Sequence, residues 1–476
     1  MAQTVIPGTP QATSNCQSGR AVAALDALTE AVLYAMILFA PWAFGTTQPW
    51  SMRVMNVGGY VLGAMFLTKA ILRHGTSPGL PFAQSTRRLT IALFMLTLAI
   101  LGYIFVAALN AEFTYVAKEF RADPHPHVEW LPHSLDRLAS WQVFWNWLAL
   151  AGVFWAVHDW LVTGITPDGH RSARRLRRLV FVLAANGALV AFEGILQRTS
   201  GTAKLLWIQP THDNPMASAQ FGPYAYRANA AQFFNLLWPV ALGLWWHLQA
   251  RRAETARRTQ RHHWLIPCVM LLIAAPLISM SRGGVAVTLV QMAACGCVLF
   301  ASARFNWPAR AGIVLVFGIT VAVAWYLGGE QLAERLRGTA TNPLSGREET
   351  YRLAARMAVD YPWFGIGPGA FESVFQLYRN SPNDYWPAQL HNDWLEYRIT
   401  FGRVGCGLLL AAGALVAARW FAPGGLRLPR SFVACIWIAL TGCLVHARFD
   451  FPLQIYSIQF VFVLLCAALF GVARRS

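Results

Sequence analysis

The sequence predicts an all-α polytopic membrane protein with about twelve transmembrane helices and one large helical loop outside the bilayer. Three observations predict it. Of 476 residues, 56% are hydrophobic and 13% charged, with a mean hydropathy of +0.40, whereas a soluble protein carries about 25% charged residues. The apolar residues fall in blocks of roughly 18 to 24, the length that crosses about 30 Å of hydrocarbon. Arginine crowds alternate connections between these blocks and spares the others.

Taken in order, the blocks place spans near 25–45, 54–72, 89–110, 140–162, 179–197, 229–249, 264–281, 284–302, 311–328, 402–420, 431–448 and 454–472. Residues 1–24 are polar and rich in Ser, Thr and Gln, and are expected to form a disordered tail. The first apolar run after them is long enough to stay in the membrane, so it reads as a span and not a cleaved signal. The organisation is then a tail (1–24), nine spans (25–328), a large loop (329–401) and three further spans (402–476). An even number of spans puts both termini on one side. That side carries Arg73, Arg87 and Arg88, then Arg171, Arg174, Arg175, Arg177 and Arg178, and later Arg251, Arg252, Arg304, Arg310 and Arg419. The opposite connections hold far fewer cations, such as Arg53, Lys118, Arg198, Arg282 and Arg448. The arginine-rich side is therefore expected to be cytoplasmic.

The same asymmetry accounts for the formal charge of +17. Basic rims attract anionic membrane lipids, and no zinc-finger, RNA-recognition or basic-zipper pattern points to nucleic acid. Eight cysteines give no metal or disulfide framework: seven lie in or beside apolar runs, Cys16 lies in the tail, and Cys295-Gly296-Cys297 is not a CxxC motif. Gly59 and Gly63 have the small-xxx-small spacing of close helix packing. Trp42, Trp50, Trp141 and Trp160 stand at expected helix ends, as in an interfacial aromatic belt.

Two loops on the arginine-poor side come before the large one. The first, 111–139, holds His125, His127 and His133, but Pro124, Pro126 and Pro132 interrupt helical spacing and no Cys accompanies them. It reads as a solvated lid without a metal. The second, 198–228, contains Asp213-Asn214-Pro215 and ends in Tyr224-Ala225-Tyr226-Arg227, placing Arg227 at the mouth of the sixth span.

Ionisable groups in or beside apolar spans are the first candidates for chemistry, because burying charge in lipid is expensive. Arg282 follows span seven and precedes Gly283-Gly284, which are expected to turn the chain into span eight. It either faces the outer vestibule or snorkels to phosphate headgroups. Glu193, in span five, lines a cavity or lies near the outer boundary. In the large loop, Leu353, Met357 and Tyr361 fall at i, i+4 and i+8 and predict an amphipathic helix. Glu348, Arg352 and Arg356 share its wet face as possible ion pairs. Arg347 stands at the helix start, where the dipole disfavours a cation, so an anion nearby would explain it. Gly365, Gly367 and Gly369 form a tight turn, and no Lys-Ser/Thr follows to make a nucleotide loop. A second helix is expected over 369–379. The polar run through Asn383 and Asp384 then leads to His391-Asn392-Asp393-Trp394-Leu395-Glu396. Asn392 or Asp393 can cap the next helix, and Asp393 with Glu396 fits a capping box. His391 then stands at a helix N-terminus, whose positive field disfavours imidazolium. A neutral imidazole can take a proton from a hydroxyl as a general base, or it can simply close the helix end.

Taken together, these residues resemble the O-antigen ligase and O-antigen polymerase superfamily of bacterial membrane glycosyltransferases. The resemblance rests on Ser281-Arg282-Gly283, Gly346-Arg347, Pro362-Trp363-Phe364-Gly365-Ile366-Gly367-Pro368-Gly369-Ala370-Phe371, and His391-Asn392-Asp393-Trp394-Leu395 followed by Gly402-Arg403-Val404-Gly405. It spans about 275–410. It implies a GT-C-like fold in the bacterial inner membrane. The expected activity is transfer of an undecaprenyl-diphosphate-linked glycan to a glycan or lipid-core acceptor at the periplasmic face, with no cofactor and no metal. His391 would be the base, Arg282 and Arg347 would hold the diphosphate, and Asn392 and Asp393 would support them. Arg227 is a further candidate for the diphosphate, although Tyr226-Arg227-Ala228-Asn229 departs from the family's Asn-rich pattern. Ligation onto a lipid core and polymerisation both fit. A transporter or flippase would need charged mid-membrane residues and broken helices in matching halves, and a peptidoglycan-polymerising enzyme would rest on an outer-loop Asp in place of His391.

Overall fold

Fourteen α-helices order the described part of the chain, and twelve of them stand where apolar blocks predict spans. The computed structural model describes residues 10–74, 84–119, 121–163, 170–211, 216–255, 261–301, 307–341, 347–380, 388–422 and 426–473. The helices are α1 (Pro10–Trp42), α2 (Pro49–His74), α3 (Gln84–Leu109), α4 (Arg137–Thr163), α5 (His170–Ser200), α6 (Arg227–Thr255), α7 (Leu265–Ile278), α8 (Arg282–Phe300) and α9 (Trp307–Thr341). They continue as α10 (Glu348–Asp360), α11 (Phe371–Phe375), α12 (Asp393–Arg419), α13 (Arg430–His446) and α14 (Tyr456–Phe470). Six are long and apolar enough to cross a membrane, and four more carry shorter apolar stretches. The protein is an all-α polytopic membrane protein.

The two other long helices, α4 and α6, turn polar groups inward. On α6, Asn229, Gln232 and Asn235 fall at i, i+3 and i+6 and are all buried, as are Phe233, Phe234 and Trp238. Asn235 explains why so polar a helix can sit inside. Its Nδ2 donates to the Gly284 carbonyl at 3.0 Å, and its Oδ1 accepts from Thr288 Oγ1 at 2.8 Å, so helices meet through satisfied polar pairs. The small-residue spacing on α2 is also used for contact. A Cβ on Gly59 would lie 2.6 Å from the Ala149 carbonyl oxygen of α4, and one on Gly63 3.2 Å from Gly152 Cα.

Several local expectations shift. Residues 10–24, expected to be disordered, continue α1 as helix. Trp160 is fully buried instead of belonging to an interfacial belt, and Arg175 lies over its ring at 5.3 Å. Trp42 is also turned inward, donating to Asn186 Oδ1 at 2.9 Å. The large loop is helical, but α9 runs on to Thr341 and α12 already begins at Asp393, so it is shorter than 329–401. The first loop, expected to be a solvated lid, carries a hairpin of β1 (Phe113–Val116) and β2 (Arg121–Pro124), paired antiparallel. A second small hairpin, β3 (Lys204–Leu205) with β4 (Gln209–Pro210), follows α5.

One break in α12 positions everything that follows. Gly402 lies at φ 60° and ψ −166°, outside the range of any L-residue, and divides the helix at the residue where span ten was expected to begin. The glycine turn fits into that break. Ile366 N–H donates to the Ile399 carbonyl at 2.9 Å, Gly367 N–H to Thr400 at 3.2 Å, and Arg403 N–H to Pro362 at 3.0 Å. Gly365, Gly367 and Gly369 all have positive φ, and a Cβ on Gly365 would lie 2.7 Å from Gly402 N. The turn is therefore a backbone clamp on α12. Leu135 N–H also donates to the Ile366 carbonyl at 2.8 Å, which joins the first loop to the clamp.

Candidate active site

α10 forms as its periodicity predicts, with Leu353 and Met357 buried and Tyr361 at its C-terminal end. Its aromatic and apolar face packs over the start of α12. That packing brings Tyr351 to His391, where the Tyr351 hydroxyl donates to the His391 carbonyl at 2.8 Å. His391 itself has φ 58°, a left-handed conformation that costs a non-glycine residue roughly 1–2 kcal/mol. Asn392 closes the helix, its Oδ1 accepting from Leu395 N–H at 3.2 Å. The alternative cap and the capping box do not form. Asp393 instead accepts from Leu453 N–H at 2.8 Å, and Glu396 reaches back to Leu390 N–H at 2.7 Å.

The held conformation aims the imidazole at the connection between α13 and α14. His391 Nδ1 lies 2.9 Å from Asp450 Oδ1, and the ring stands edge-on to Phe451 at 4.7 Å. Asp450 is buried and carries more than one donor: Phe451 N–H reaches Oδ1 at 3.1 Å and the Tyr226 hydroxyl reaches Oδ2 at 3.1 Å. Tyr226 stacks on Phe451 with ring planes 5° apart, which fixes its hydroxyl. Burial alone would raise the Asp450 carboxyl. The hydrogen bond and charge of His391, with His446 and Arg347 nearby, outweigh it and hold the group below the ordinary carboxylate range. Asp393 N–H donates to the Ala447 carbonyl at 2.8 Å, pinning the two segments together.

Arg347 joins the same cluster. It occupies the N-cap position of α10 without a capping side chain, and its Nη1 donates to the Phe449 carbonyl at 3.2 Å. Burial disfavours the guanidinium charge, but Tyr226 and Asp450 raise its affinity for a proton above the usual arginine value. The anion that a cation at a helix start calls for is thus supplied in part by Asp450. Burial is the main cause that raises the Tyr226 hydroxyl, with the neighbouring Asp450 charge adding to it.

Arg282 is half-buried at the first residue of α8. The expected turn at Gly283-Gly284 forms three residues earlier, at Met280 (φ 59°), and Ser281 Oγ caps α8 by accepting from Gly284 N–H at 3.1 Å. The glycines serve contact instead: a Cβ on Gly283 would lie 2.9 Å from His446 Nε2, so the start of α8 abuts the end of α13 four residues before Asp450. Arg227 turns Nη1 to the Ser218 carbonyl and ties down the loop before α6. The structure thus gathers His391, Asn392, Asp393 and Arg347 with Asp450 and Tyr226, sets the Arg282 helix end against the same corner, and uses Arg227 on its own loop.

The remaining polar candidates are used locally. His125 Nε2 pairs with Thr114 Oγ1 at 2.7 Å, His127 lies 3.8 Å from Glu112, and His133 Nδ1 lies 3.1 Å from the Leu131 carbonyl. Arg352 pairs with Glu349 at 3.8 Å, one residue off the expected Glu348, with both side chains exposed. Glu193 is buried, and among the described residues neither of its carboxylate oxygens has a hydrogen-bond partner. Gly346, Asn383, Asp384 and Asp213-Asn214-Pro215 lie outside the described residues.

A carboxylate, an imidazole and a tyrosine in series, with a guanidinium beside them, can move a proton at Nε2 and hold an anion close by. Among the described residues no protein group hydrogen-bonds His391 Nε2, while Nδ1 is committed to Asp450. Sequence patterns do not single out Asp450, because it stands 59 positions from His391. The one local sign is an acid inside the aromatic run Phe449-Asp450-Phe451. Residues 267–410, which include Arg282, Arg347 and His391, match the family described as O-antigen ligase. A search among curated proteins finds no match.

Proposed function

Since residues 267–410 match the O-antigen ligase family, we propose that the protein transfers a glycan from undecaprenyl diphosphate to an acceptor sugar. The acceptor is the lipid A core or a similar glycan, and the site faces the periplasm from the inner membrane, with both termini cytoplasmic. The observation that carries this reading is the His391–Asp450 pair at the head of α12, with Arg347 beside it. If Nδ1–H donates to Asp450, the Nε2 lone pair is left to take the acceptor hydroxyl proton. The acceptor oxygen then bonds to the anomeric carbon as the bond from that carbon to the diphosphate oxygen breaks. The diphosphate leaves with the bonding electrons, and the guanidinium forks of Arg347 and Arg282 stabilise the charge that develops. Asn392 and Asp393 hold the helix end that presents His391. The scheme uses no metal or nucleotide, since guanidinium groups supply the positive charge.

A polymerase of the same superfamily would use this centre on a growing glycan as acceptor. The test is transfer by purified protein from an undecaprenyl-diphosphate-linked glycan, offered either a lipid A core or a second glycan. Loss of the base in His391→Ala is expected to lower the rate about 10² to 10⁴-fold. Near-normal transfer by a folded His391→Ala protein would reduce His391 to a helix-end residue.

A further inference from the structure

The end of the bundle away from His391 holds a second charged assembly. Lys69 on α2 is fully buried, with Nζ 3.1 Å from Asp26 of α1 and 2.9 Å from Asp159 of α4. Arg73 also pairs with Asp159, and Arg175 on α5 reaches Asp26 at 2.6 Å and the Trp160 carbonyl. Three cations here face two carboxylates, so the network holds one positive charge in excess. Lys69 and Arg175 are buried and Arg73 is partly exposed, so water screens the excess charge only in part and an anion close by would be attracted.

Beside this network a cavity of about 170 Å³ opens between α1 and α5, lined by Asp26, Glu30, Arg174, Arg175 and Arg178 among others. Both carboxylates are already engaged, Asp26 as above and Glu30 with Arg178 at 3.1 Å. Arg178 and Arg174 are exposed at the rim, and Arg174 has no hydrogen-bond or ion-pair partner among the described residues. Cavity and network together bring five cations against three carboxylates, leaving two positive charges. We propose that this cavity binds a phosphate group, gripped by Arg174 and Arg178 over the floor formed by Arg175. Guanidinium forks bind phosphate oxygens in bidentate fashion, and they already bind carboxylates here. The phosphate belongs either to an anionic lipid headgroup in the adjoining leaflet or to a free phosphate ion.

The test uses the full chain in phosphatidylcholine nanodiscs, titrated separately with dihexanoyl-phosphatidylglycerol and with inorganic phosphate, reading the shift in thermal unfolding. Saturable stabilisation is expected. Phosphatidylglycerol acting alone identifies a headgroup site, and both acting identifies a site for the phosphate itself. Arg174→Ala/Arg178→Ala is expected to weaken binding about 30-fold, roughly fivefold for each guanidinium. Arg87→Ala/Arg88→Ala removes the same charge from the exposed start of α3 and is expected to leave binding unchanged. Arg174→Ala alone breaks no described contact and gives a fivefold loss even if the double variant folds poorly. Absence of saturable binding to wild type overturns the proposal. So does undiminished binding by the Arg174 variants, or an equal loss in the Arg87/Arg88 variant, which would reduce the effect to general surface charge.

Discussion

Replacing Asp450 separates two things that its carboxylate does for His391. The Oδ1 atom accepts from both His391 Nδ1 and Phe451 N–H, whereas Oδ2 meets the Tyr226 hydroxyl. In Asp450→Asn the Phe451 N–H selects the amide oxygen for the Oδ1 position, because an NH₂ there would face another donor. Tyr226 can rotate its hydroxyl to accept from the amide. The imidazole therefore keeps its tautomer and orientation and loses only the charge. A full imidazolium 4 Å from a carboxylate is stabilised by about 4 kcal/mol at an effective dielectric constant of 20. With the proton about half transferred in the transition state the loss is about 2 kcal/mol, roughly 30-fold in rate. Asp450→Ala removes the anchor as well and is expected to approach the roughly 10² to 10⁴-fold loss of removing the base. The assay is single-turnover glycan transfer at saturating donor for both variants, with folding checked by thermal unfolding in detergent. An Asn variant as impaired as the Ala variant would refute the selection by Phe451. Full activity in Asp450→Ala would refute the pair altogether.

If Arg282 and Arg347 grip a diphosphate, Arg→Lys at either position is expected to lower turnover at least tenfold, because a point charge cannot reproduce the bidentate fork. Arg352→Lys and Arg356→Lys, on the exposed face of α10, should be nearly silent, since such pairs contribute about 0.3–0.5 kcal/mol. Turnover and donor binding by all four at matched expression decide this, and full activity of the two site variants would return Arg282 to a headgroup anchor. Asp384→Cys in a cysteine-free background is expected to react with an impermeant maleimide from outside. Labelling only after permeabilisation would overturn the topology and the periplasmic site with it. Asp450 also predicts a pH dependence of stability. Its folded pKa is depressed below the unfolded value near 3.9. Its contribution is therefore complete above about pH 4 and is lost as pH falls through the lower folded value. The stability difference between wild type and Asp450→Asn should shrink below pH 4, and a constant difference from pH 3 to 7 would contradict the depression.

The architecture was largely legible because hydrophobic blocks and arginine asymmetry are local signals that survive without any partner. The start of span ten was read at 402, and there α12 breaks. The site was half legible. His391, Asn392 and Asp393 are consecutive, and Arg347, though distant in sequence, stands at its own helix start, so each carries a local helix-start signature that could be read. Asp450 could not, because its one local sign, the flanking Phe449 and Phe451, does not name a partner; only the packing of α13 and α14 against the head of α12 makes it one. The glycine pair after Arg282 misled for a related reason. Gly283 and Gly284 look like a turn, but they are small because α13 and α6 approach them, while Met280 makes the turn under strain.

The separation of 59 positions from His391 to Asp450 also sets an order of events during synthesis. Tyr226 and Arg347 have left the ribosome long before, yet the carboxylate they surround is still to come. At about 5–20 residues per second, His391 waits roughly 3–12 seconds for its partner to be translated. During that interval the ring has no Asp450 to hold it, and the strained backbone at His391 lacks one of its restraints. A nascent chain that stalls before the last hairpin of helices therefore lacks the His391–Asp450 pair, and on the proposed mechanism it gains its base only when α13 and α14 are in place.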